Sequence, residues 1–393
     1  MVKRHALGIF CTFILLCWVP TFGGAKSLTV EWERTAGQEW DDGAYIIRPT
    51  NDGGYIAVGW TEPTGGDKDI YLIKLDEAGN IEWQRYLGGK KDDKGHDVCQ
   101  TSDGGYLVVG WTKSWGAGSG DLYIIKTDEM GKELWHKAFG GKKNDGPADF
   151  GVIQKTPNGG YLLAGWTWSY GKALDMWLVR LNRFGNLMRS KTIGGEGTDW
   201  ARSITACSDG NFIIVGKTTS FGAGKGDIYV VKVDVDGNVI WERNFGGTGM
   251  DWANYVLEVP GGGFLVVGGT RSYGNGEDDT YVIRLDEQGN KLWERVFPES
   301  EGKDWGLTCR LVPEKGFLLT SAVWRCCTGW DAEVLYIDFE GNLLGKIVFG
   351  GHGEDTIYLL QPTQDGGYIG VGETNSYGAG DNDVYFVKIK LEL

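Results

Sequence analysis

Histidine is scarce in this sequence, and the short motifs of several enzyme classes are missing from it. Four histidines occur, of which His96, His136 and His352 lie beyond residue 25. The chain has no H-E-x-x-H, G-x-S-x-G or C-x-x-C motif. The sequence therefore gives little support to catalysis by an activated nucleophile or by a motif-bound metal.

Proline is also rare, with nine residues, whereas 65 glycines are spread along the whole length beside Trp, Tyr and Val. With 41% hydrophobic residues, the composition excludes a disordered chain, a collagen and a coiled coil. Frequent glycine among β-forming residues is typical of short strands joined by tight turns. A helical architecture is not expected.

Positive charge is in short supply. Lys and Arg total 39 against 53 Asp and Glu, which gives a formal net charge of −14. Such a surface repels nucleic acid and anionic membranes, so we expect neither as a partner.

Long apolar runs are absent except at the N-terminus. Basic residues at positions 3 and 4 precede an almost wholly apolar segment, 6–22, and small residues follow at 23–25. This pattern predicts a signal peptide over 1–25, a single domain over 26–393 and a secreted or periplasmic protein. No later run approaches the roughly 20 apolar residues that span a bilayer, so no membrane insertion is expected.

One unit is repeated along the chain. An aromatic residue follows a turn, mostly of the Asp-Gly-Gly type, at intervals of 51 to 55 residues. These residues are Tyr55, Tyr106, Tyr161, Phe212, Phe264, Phe317 and Tyr368. Each unit contains four short runs of β-forming residues, here named a to d, separated by tight-turn sequences. A four-stranded repeat of this length predicts a β-propeller blade.

The two ends of the chain predict how the ring closes. Residues 30–34 match the d run of the first unit at 81–85, while the chain stops after a c run at 384–391. We therefore predict an all-β, seven-bladed propeller of four-stranded antiparallel blades, in which the N-terminal strand completes the last blade. This arrangement removes the open sheet edges of an unclosed array.

Several units share a c–d pattern, L-D-x-x-G-N-x-x-W, as in the segments 75–83 and 285–293. The pattern resembles that of secreted bacterial and archaeal β-propellers with PQQ-like (WD-like) repeats. The resemblance implies the propeller fold over all seven units. Quinoprotein dehydrogenases of this group typically have eight blades and a defined set of cofactor ligands, which have no match here. We expect no cofactor.

Aspartates recur at two positions of the unit. One class begins the a run at Asp42, Asp93, Asp199, Asp251, Asp304 and Asp355, with Asp145 or Asp149 in the third unit; the other begins the c run at Asp69, Asp121, Asp175, Asp227, Asp279, Asp331 and Asp383. Both classes should ring the face formed by the longer d–a and b–c loops, here called the long-loop face. We interpret them as caps of backbone N–H groups in glycine-rich loops. A rim that binds cations or sugar hydroxyls is the alternative.

The b–c loops of most units carry a Ser-aromatic-Gly sequence. The aromatic residues are Trp115, Tyr170, Phe221, Tyr273 and Tyr377. On the long-loop face they would form a stacking platform for sugars, and we take Trp115, Tyr170, Tyr273 and Tyr377 as candidate ligand-binding residues. Packing between blades is the alternative that the repetition favours.

The sixth unit breaks this pattern. There Arg325-Cys326-Cys327 replaces the Ser-aromatic-Gly sequence. Together with nearby tryptophans these residues are candidates for a ligand pocket: Trp305, Trp324, Arg325, Cys326, Cys327 and Trp330. Drift of one repeat followed by repacking is the alternative.

Five cysteines lie beyond residue 25. Cys99, Cys207 and Cys309 belong to three different units, too far apart to pair, and are predicted to be buried thiols. For the adjacent Cys326 and Cys327 of an exported protein we predict a vicinal disulfide, which would rigidify the loop.

These observations favour a monomeric, non-catalytic binding or scaffold protein that recognises a polysaccharide or another exported protein through its long-loop face. The first alternative is a polysaccharide lyase or glycosidase, for which His96, His352, Glu354 and Arg325 are the visible acid–base candidates. The second is a quinone-dependent dehydrogenase. No metal site and no catalytic residue is predicted.

Overall fold

The computed structural model describes residues 27–63, 66–275, 277–297 and 303–392. The predicted signal peptide, residues 1–25, lies outside this part of the chain. The described residues form 29 β-strands in seven antiparallel sheets, which are the seven blades of a β-propeller. The fold prediction is confirmed.

The strands follow the repeat unit by unit. Strand β1 (Ser27–Ala36) precedes blade 1, which contains β2 (Asp42–Pro49), β3 (Tyr55–Thr61), β4 (Asp69–Leu75) and β5 (Ile81–Leu87). Blade 2 contains β6 (Asp93–Gln100), β7 (Tyr106–Thr112), β8 (Asp121–Thr127) and β9 (Glu133–Phe139). Blade 3 contains β10 (Asp145–Pro147), β11 (Ile153–Lys155), β12 (Tyr161–Thr167), β13 (Asp175–Leu181) and β14 (Leu187–Ile193). Blade 4 contains β15 (Asp199–Ala206), β16 (Phe212–Thr218), β17 (Asp227–Val233) and β18 (Val239–Phe245).

The remaining blades complete the ring. Blade 5 contains β19 (Asp251–Glu258), β20 (Phe264–Thr270), β21 (Asp279–Leu285) and β22 (Lys291–Phe297). Blade 6 contains β23 (Asp304–Val312), β24 (Gly316–Arg325), β25 (Gly329–Ile337) and β26 (Leu343–Phe349). Blade 7 contains β27 (Asp355–Pro362), β28 (Tyr368–Thr374) and β29 (Asp383–Glu392), with β1 as its fourth strand.

Glycine turns explain why the chain reverses at fixed intervals. Between β4 and β5, Gly79 has φ of 77°, and its N–H donates to the Asp76 carbonyl over 3.0 Å. The Asp76 carboxylate accepts the N–H of Asn80 over 2.7 Å. A left-handed residue followed by an aspartate-capped amide makes a tight hairpin, so adjacent runs pair as antiparallel neighbours.

Strand β1 closes the ring as predicted. It pairs antiparallel with β29 from Ser27 opposite Glu392 to Ala36 opposite Val384. Leu28 is buried in the apolar cluster between blades 6 and 7. Because β1 is the outermost strand of blade 7, the two ends of the described chain share one sheet.

The first strands of neighbouring blades contact one another around the axis. In six blades a β-bulge interrupts this strand three residues after its first aspartate, so one residue has no cross-strand partner. The bulged residues are Tyr45, His96, Arg202, Asn254, Leu307 and Tyr358. Bulges re-aim side chains, and here most of them line a pocket at the axis.

Candidate functional site

A pocket of about 420 Å³ opens at the axis of the propeller, and it is here called the axial pocket. Its lining includes residues of the d–a and b–c loops, which places the opening on the long-loop face. The lining residues are Tyr45, Asp149, Phe150, Arg202, Lys217, Met250, Trp252, Asn254, Arg271, Asp278, Trp305, Leu307 and Tyr358. A concave, largely apolar site with a few charged groups is typical of small-molecule binding sites.

Tryptophans surround the mouth of the axis at one register position. In blades 1 to 3 the tryptophan lies on strand b, and in blades 4 to 6 it lies on the facing residue of strand a. They are Trp60, Trp111, Trp166, Trp200, Trp252 and Trp305. The facing residue is small in several blades: a Cβ on Gly269 would lie 2.3 Å from the Trp252 ring. The glycine therefore lets the indole lie flat across the neighbouring strand.

Two of these tryptophans line the axial pocket from adjacent blades. Trp252 and Trp305 are both half-buried. Trp305 packs against a small apolar cluster of Phe150, Leu307 and Ala322. The pocket thus has aromatic and apolar walls.

The charged lining residues form two ion pairs and leave one lysine. Arg202 lies 2.6 Å from Asp149. Arg271 binds the buried Asp278 through two nitrogens, with Nη2 to Oδ2 at 3.1 Å. Lys217 donates to the Met250 sulfur over 3.5 Å, and burial followed by the two nearby arginines lowers the pKa of its ammonium group.

The repeated aspartates have the capping role that the sequence predicted. In blade 4, the Asp199 carboxylate accepts the N–H of Gly195 over 2.7 Å and the hydroxyl of Ser220 over 2.6 Å. The second class behaves alike, since Asp227 accepts the N–H of Gly224 over 3.2 Å. Within the described residues, no group of three or more His, Cys, Asp or Glu side chains is placed to hold a metal ion.

In blade 3 the structure shows which of two aspartates belongs to the class that begins strand a. Asp145 begins β10, pairs with Thr167 and caps the N–H of Gly141 over 2.7 Å, as its counterparts do. Asp149 instead lies in the interruption between β10 and β11 and lines the axial pocket. The interruption thus brings a carboxylate of blade 3 to the axial pocket.

The predicted aromatic residues of the b–c loops lie outside the axial pocket, and each belongs to a different blade. Trp115, Tyr170, Tyr273 and Tyr377 are 37–52% exposed. Each packs on the outer half of its own blade: the ring centroid of Tyr170 is 5.5 Å from that of Trp177, and Trp115 is 4.5 Å from His136. The structure therefore does not bring them together.

Blade 6 does bring its tryptophans together. Strands β24 and β25 extend into the long-loop face, and Trp324 faces Trp330 across them. Trp330 stacks on Trp305 with ring centroids 4.6 Å apart, and Trp324 meets Trp330 edge-on at 5.5 Å. An aromatic column thus runs from the axial pocket to the exposed hairpin, where Arg325 lies 3.6 Å from Asp331.

The predicted vicinal disulfide is wrong for this structure. Cys326 and Cys327 are exposed at the hairpin tip with their Sγ atoms 3.3 Å apart, well beyond the roughly 2.05 Å of a disulfide bond. The hairpin is already held by the ladder from Val323–Asp331 to Arg325–Gly329, and Gly329 supplies the positive φ of 91° that its turn needs. Ladder pairing, not a bridge, fixes the loop.

In the protein denatured without reductant, we therefore expect all five cysteines beyond residue 25 to be alkylated. Cys99, Cys207 and Cys309 are not in disulfides, and burial raises the pKa of each thiol to about 12. Mass spectrometry counts the labels. Three labels, with the unlabelled pair in the peptide that contains residues 326 and 327, would contradict this expectation.

The acid–base candidates are spread over different parts of the fold. His96 is a bulged residue in the wall of the axis, where it stacks on Tyr45 at 5.1 Å, and burial lowers its pKa to about 4. Glu354 lies in the d–a loop near Gly329 of blade 6, beside His352 in sequence. None of His96, His352, Glu354 and Arg325 is among the described residues that line the axial pocket.

The described residues contain no helix long and apolar enough to cross a membrane.

A short stretch of the chain matches a family model described as a domain of unknown function (DUF5122) β-propeller, over residues 263–291. An alignment 97 residues long, which covers 21% of the chain, is 27% identical to regulatory protein FlaEY of Caulobacter vibrioides. The match spans 10% of that relative's length.

Solved propellers are similar in fold. The WD40 domain of Neurospora crassa Pan2 superimposes with a TM-score of 0.54 at 11% identity, covering 94% of this chain and 97% of that one. BBS1N, solved in complex with ARL6DN, gives 0.54 at 12% identity, covering 92% and 96%. Drosophila Plexin A, solved with Semaphorin 1b, gives 0.50 at 8% identity, covering 92% and 88%.

The sequence motifs pointed to Trp305 and, as an alternative member of the repeated aspartates, to Asp149, but not to the other charged residues of the axial pocket. A partial signal was present, because the residue three positions after the strand-a aspartate differs between most blades. Tyr45, Arg202 and Asn254 occupy equivalent bulges. Their backbone positions match while their side chains differ, so they contribute different groups to one pocket.

Proposed function

We propose that this protein is a non-catalytic binding propeller that holds a saccharide unit in the axial pocket. The observation that carries the proposal is the pairing of Trp252 and Trp305 at the pocket wall with charged groups beside them. Sugars offer apolar C–H faces to aromatic rings and hydroxyl groups to carboxylates and guanidinium groups. A saccharide unit is therefore complementary to both parts of the lining.

The aromatic column of blade 6 extends this proposed site. Trp330 and Trp324 continue from Trp305 toward the exposed hairpin. A second sugar unit of an oligosaccharide would stack there, outside the pocket. We further propose that the protein is exported, because of the sequence pattern of residues 1–25, and that it is a monomer. The c–d pattern supports a relation to propellers with PQQ-like repeats.

Non-catalytic binding is favoured over a lyase or glycosidase by the composition of the pocket. Its two carboxylates, Asp149 and Asp278, are each engaged by an arginine. A general acid or base must reach the reacting atoms of the substrate, whereas these two carboxylates already contact arginine nitrogens. The arrangement suits ligand positioning rather than proton transfer.

Replacing Trp252 or Trp305 with Ala should weaken saccharide binding by at least about tenfold, since stacked aromatic residues are frequent affinity hot spots. A glycan array probed with the protein from residue 26 onward identifies a ligand, and calorimetric titration of the variants measures the loss. Trp115→Ala is the matched control, because it removes an exposed tryptophan from the same face outside the pocket. Equal losses for Trp115→Ala and Trp252→Ala would contradict the axial site.

A further inference from the structure

Lys217 lies at the mouth of the axis on strand b of blade 4, beside the tryptophans of the neighbouring blades. It follows the strand-b glycine of blade 4, where blades 1 to 3 have Trp60, Trp111 and Trp166. Its cross-strand partner is Trp200. In blade 4 the tryptophan thus comes from strand a, and strand b supplies a cation at the same register position.

The lysine is held in place by its surroundings. A Cβ on Gly226 would lie 2.4 Å from the Lys217 Cε, so the glycine leaves room for the aliphatic stem. In blade 2, Gly120 makes the same room for the Trp111 ring. The ammonium group is left against the Met250 sulfur, which is a weak acceptor.

The charges of the axial pocket do not cancel. Arg202 and Arg271 are each paired with a lining carboxylate. Among the described residues, no carboxylate lies within ion-pair distance of the Lys217 Nζ, and the other lining residues are neutral. The pocket therefore carries one excess positive charge in a chain with a formal net charge of −14.

We propose that Lys217 binds the carboxylate of an acidic sugar, so that the ligand of the axial pocket is a uronic-acid unit. The inference rests on the proposed saccharide function and names the class of saccharide. One uncompensated charge matches a monoanion. A doubly charged phosphate would need further donors, but the guanidinium groups of Arg202 and Arg271 are already engaged by aspartates.

The charge of the whole protein limits the size of this ligand. A strongly acidic surface repels a long polyanion, while a local positive potential in a cleft attracts a small one. We therefore expect the pocket to select a short acidic oligosaccharide or the end unit of a chain.

The test compares galacturonic and glucuronic acid tetrasaccharides with their methyl esters, which keep the size and hydroxyl groups but remove the charge. We expect the wild-type protein to bind one of the acids at least about tenfold more tightly than its ester, because a hydrogen bond between two charged groups adds to the free energy of binding. In Lys217→Met the preference should fall to within about twofold, with ester binding unchanged. Lys217→Arg keeps the positive charge and should keep the preference. If it does, the effect of Lys217→Met results from the lost charge and not from a change in folding.

Lys113→Met is the matched control. Lys113 lies over the Trp111 ring at 5.3 Å and is paired with Asp92 at 2.6 Å, so its removal should leave the preference for the acid intact. Equal binding of acid and ester, or a preference that survives in Lys217→Met, would overturn the inference and leave the saccharide proposal standing. If no acidic, esterified or neutral saccharide binds, both proposals are wrong.

Discussion

Deletion of residues 28–35 is expected to lower the free energy of unfolding by at least about 5 kcal/mol, a large part of the stability of a typical domain. The deletion removes β1 and its antiparallel ladder with β29. It also removes Leu28 from the apolar cluster of blades 6 and 7. The buried residues of β29 would then form an open, apolar sheet edge. Urea denaturation followed by tryptophan fluorescence measures the effect.

Two further measurements separate loss of the closing strand from loss of side chains in general. Thr29→Ala and Glu31→Ala change exposed residues of β1, and each should alter the free energy of unfolding by less than about 0.5 kcal/mol. A synthetic peptide of residues 27–36 added to the truncated protein should restore stability in proportion to its concentration. Unfolding of the truncated protein at the same urea concentration as the intact chain would show that β1 does not close the ring.

This closure could be predicted from the sequence because it depends on a repeat. Residues 30–34 match the d run of the first unit, and the last unit has no d run of its own. The periodic pattern therefore assigns the N-terminal segment to the missing strand of the last unit. The aspartate caps were predictable for the same reason. A residue such as Asp199 recurs beside the same glycine and serine in almost every unit, so its local hydrogen bonds recur too.

Features that depend on one blade were harder to predict. In blade 3, both Asp145 and Asp149 fit the pattern, and only pairing with Thr167 decides between them. For Cys326 and Cys327, residue type and presumed compartment suggested a bridge, while the ladder from Val323–Asp331 to Arg325–Gly329 fixes the loop without one. The length of the hydrogen-bonded ladder in a hairpin cannot be predicted from the local sequence.

The axial pocket was missed because it is assembled from strands and loops of six blades. Lys217, Arg271 and Trp305 come from three different repeat units, and no motif links them in the sequence. Ring closure brings them to one opening. A bulge in each first strand then turns side chains such as Arg202 toward that opening, and bulge geometry has no reliable signature in a single sequence.

The second large effect concerns a buried ion pair that joins three blades. Arg48 of β2 donates from Nε and Nη2 to the two carboxylate oxygens of Asp97 in β6, each over 2.8 Å. Asp97 is fully buried and also accepts the N–H of Ile153, the first residue of β11, over 3.1 Å. It therefore anchors the point at which the interrupted first strand of blade 3 resumes.

Replacement of Arg48 with Met should lower the free energy of unfolding by about 3–5 kcal/mol, because it leaves the buried carboxylate without its cation. Asp97→Asn should cost less, since the Arg48 side chain is 28% exposed and can be hydrated. Urea denaturation at neutral pH measures both variants.

The double variant R48M/D97N distinguishes an ion pair from two independent contributions. It removes both charges, and the amide oxygen introduced at position 97 still accepts the N–H of Ile153, so stability should return to within about 1.5 kcal/mol of the wild-type value. The two substitutions would then be coupled by at least about 2 kcal/mol. The coupling is expected because the cost of an unpaired buried carboxylate disappears when the carboxylate itself is removed. If the effects of the two single substitutions simply add, Arg48 and Asp97 stabilise their blades independently.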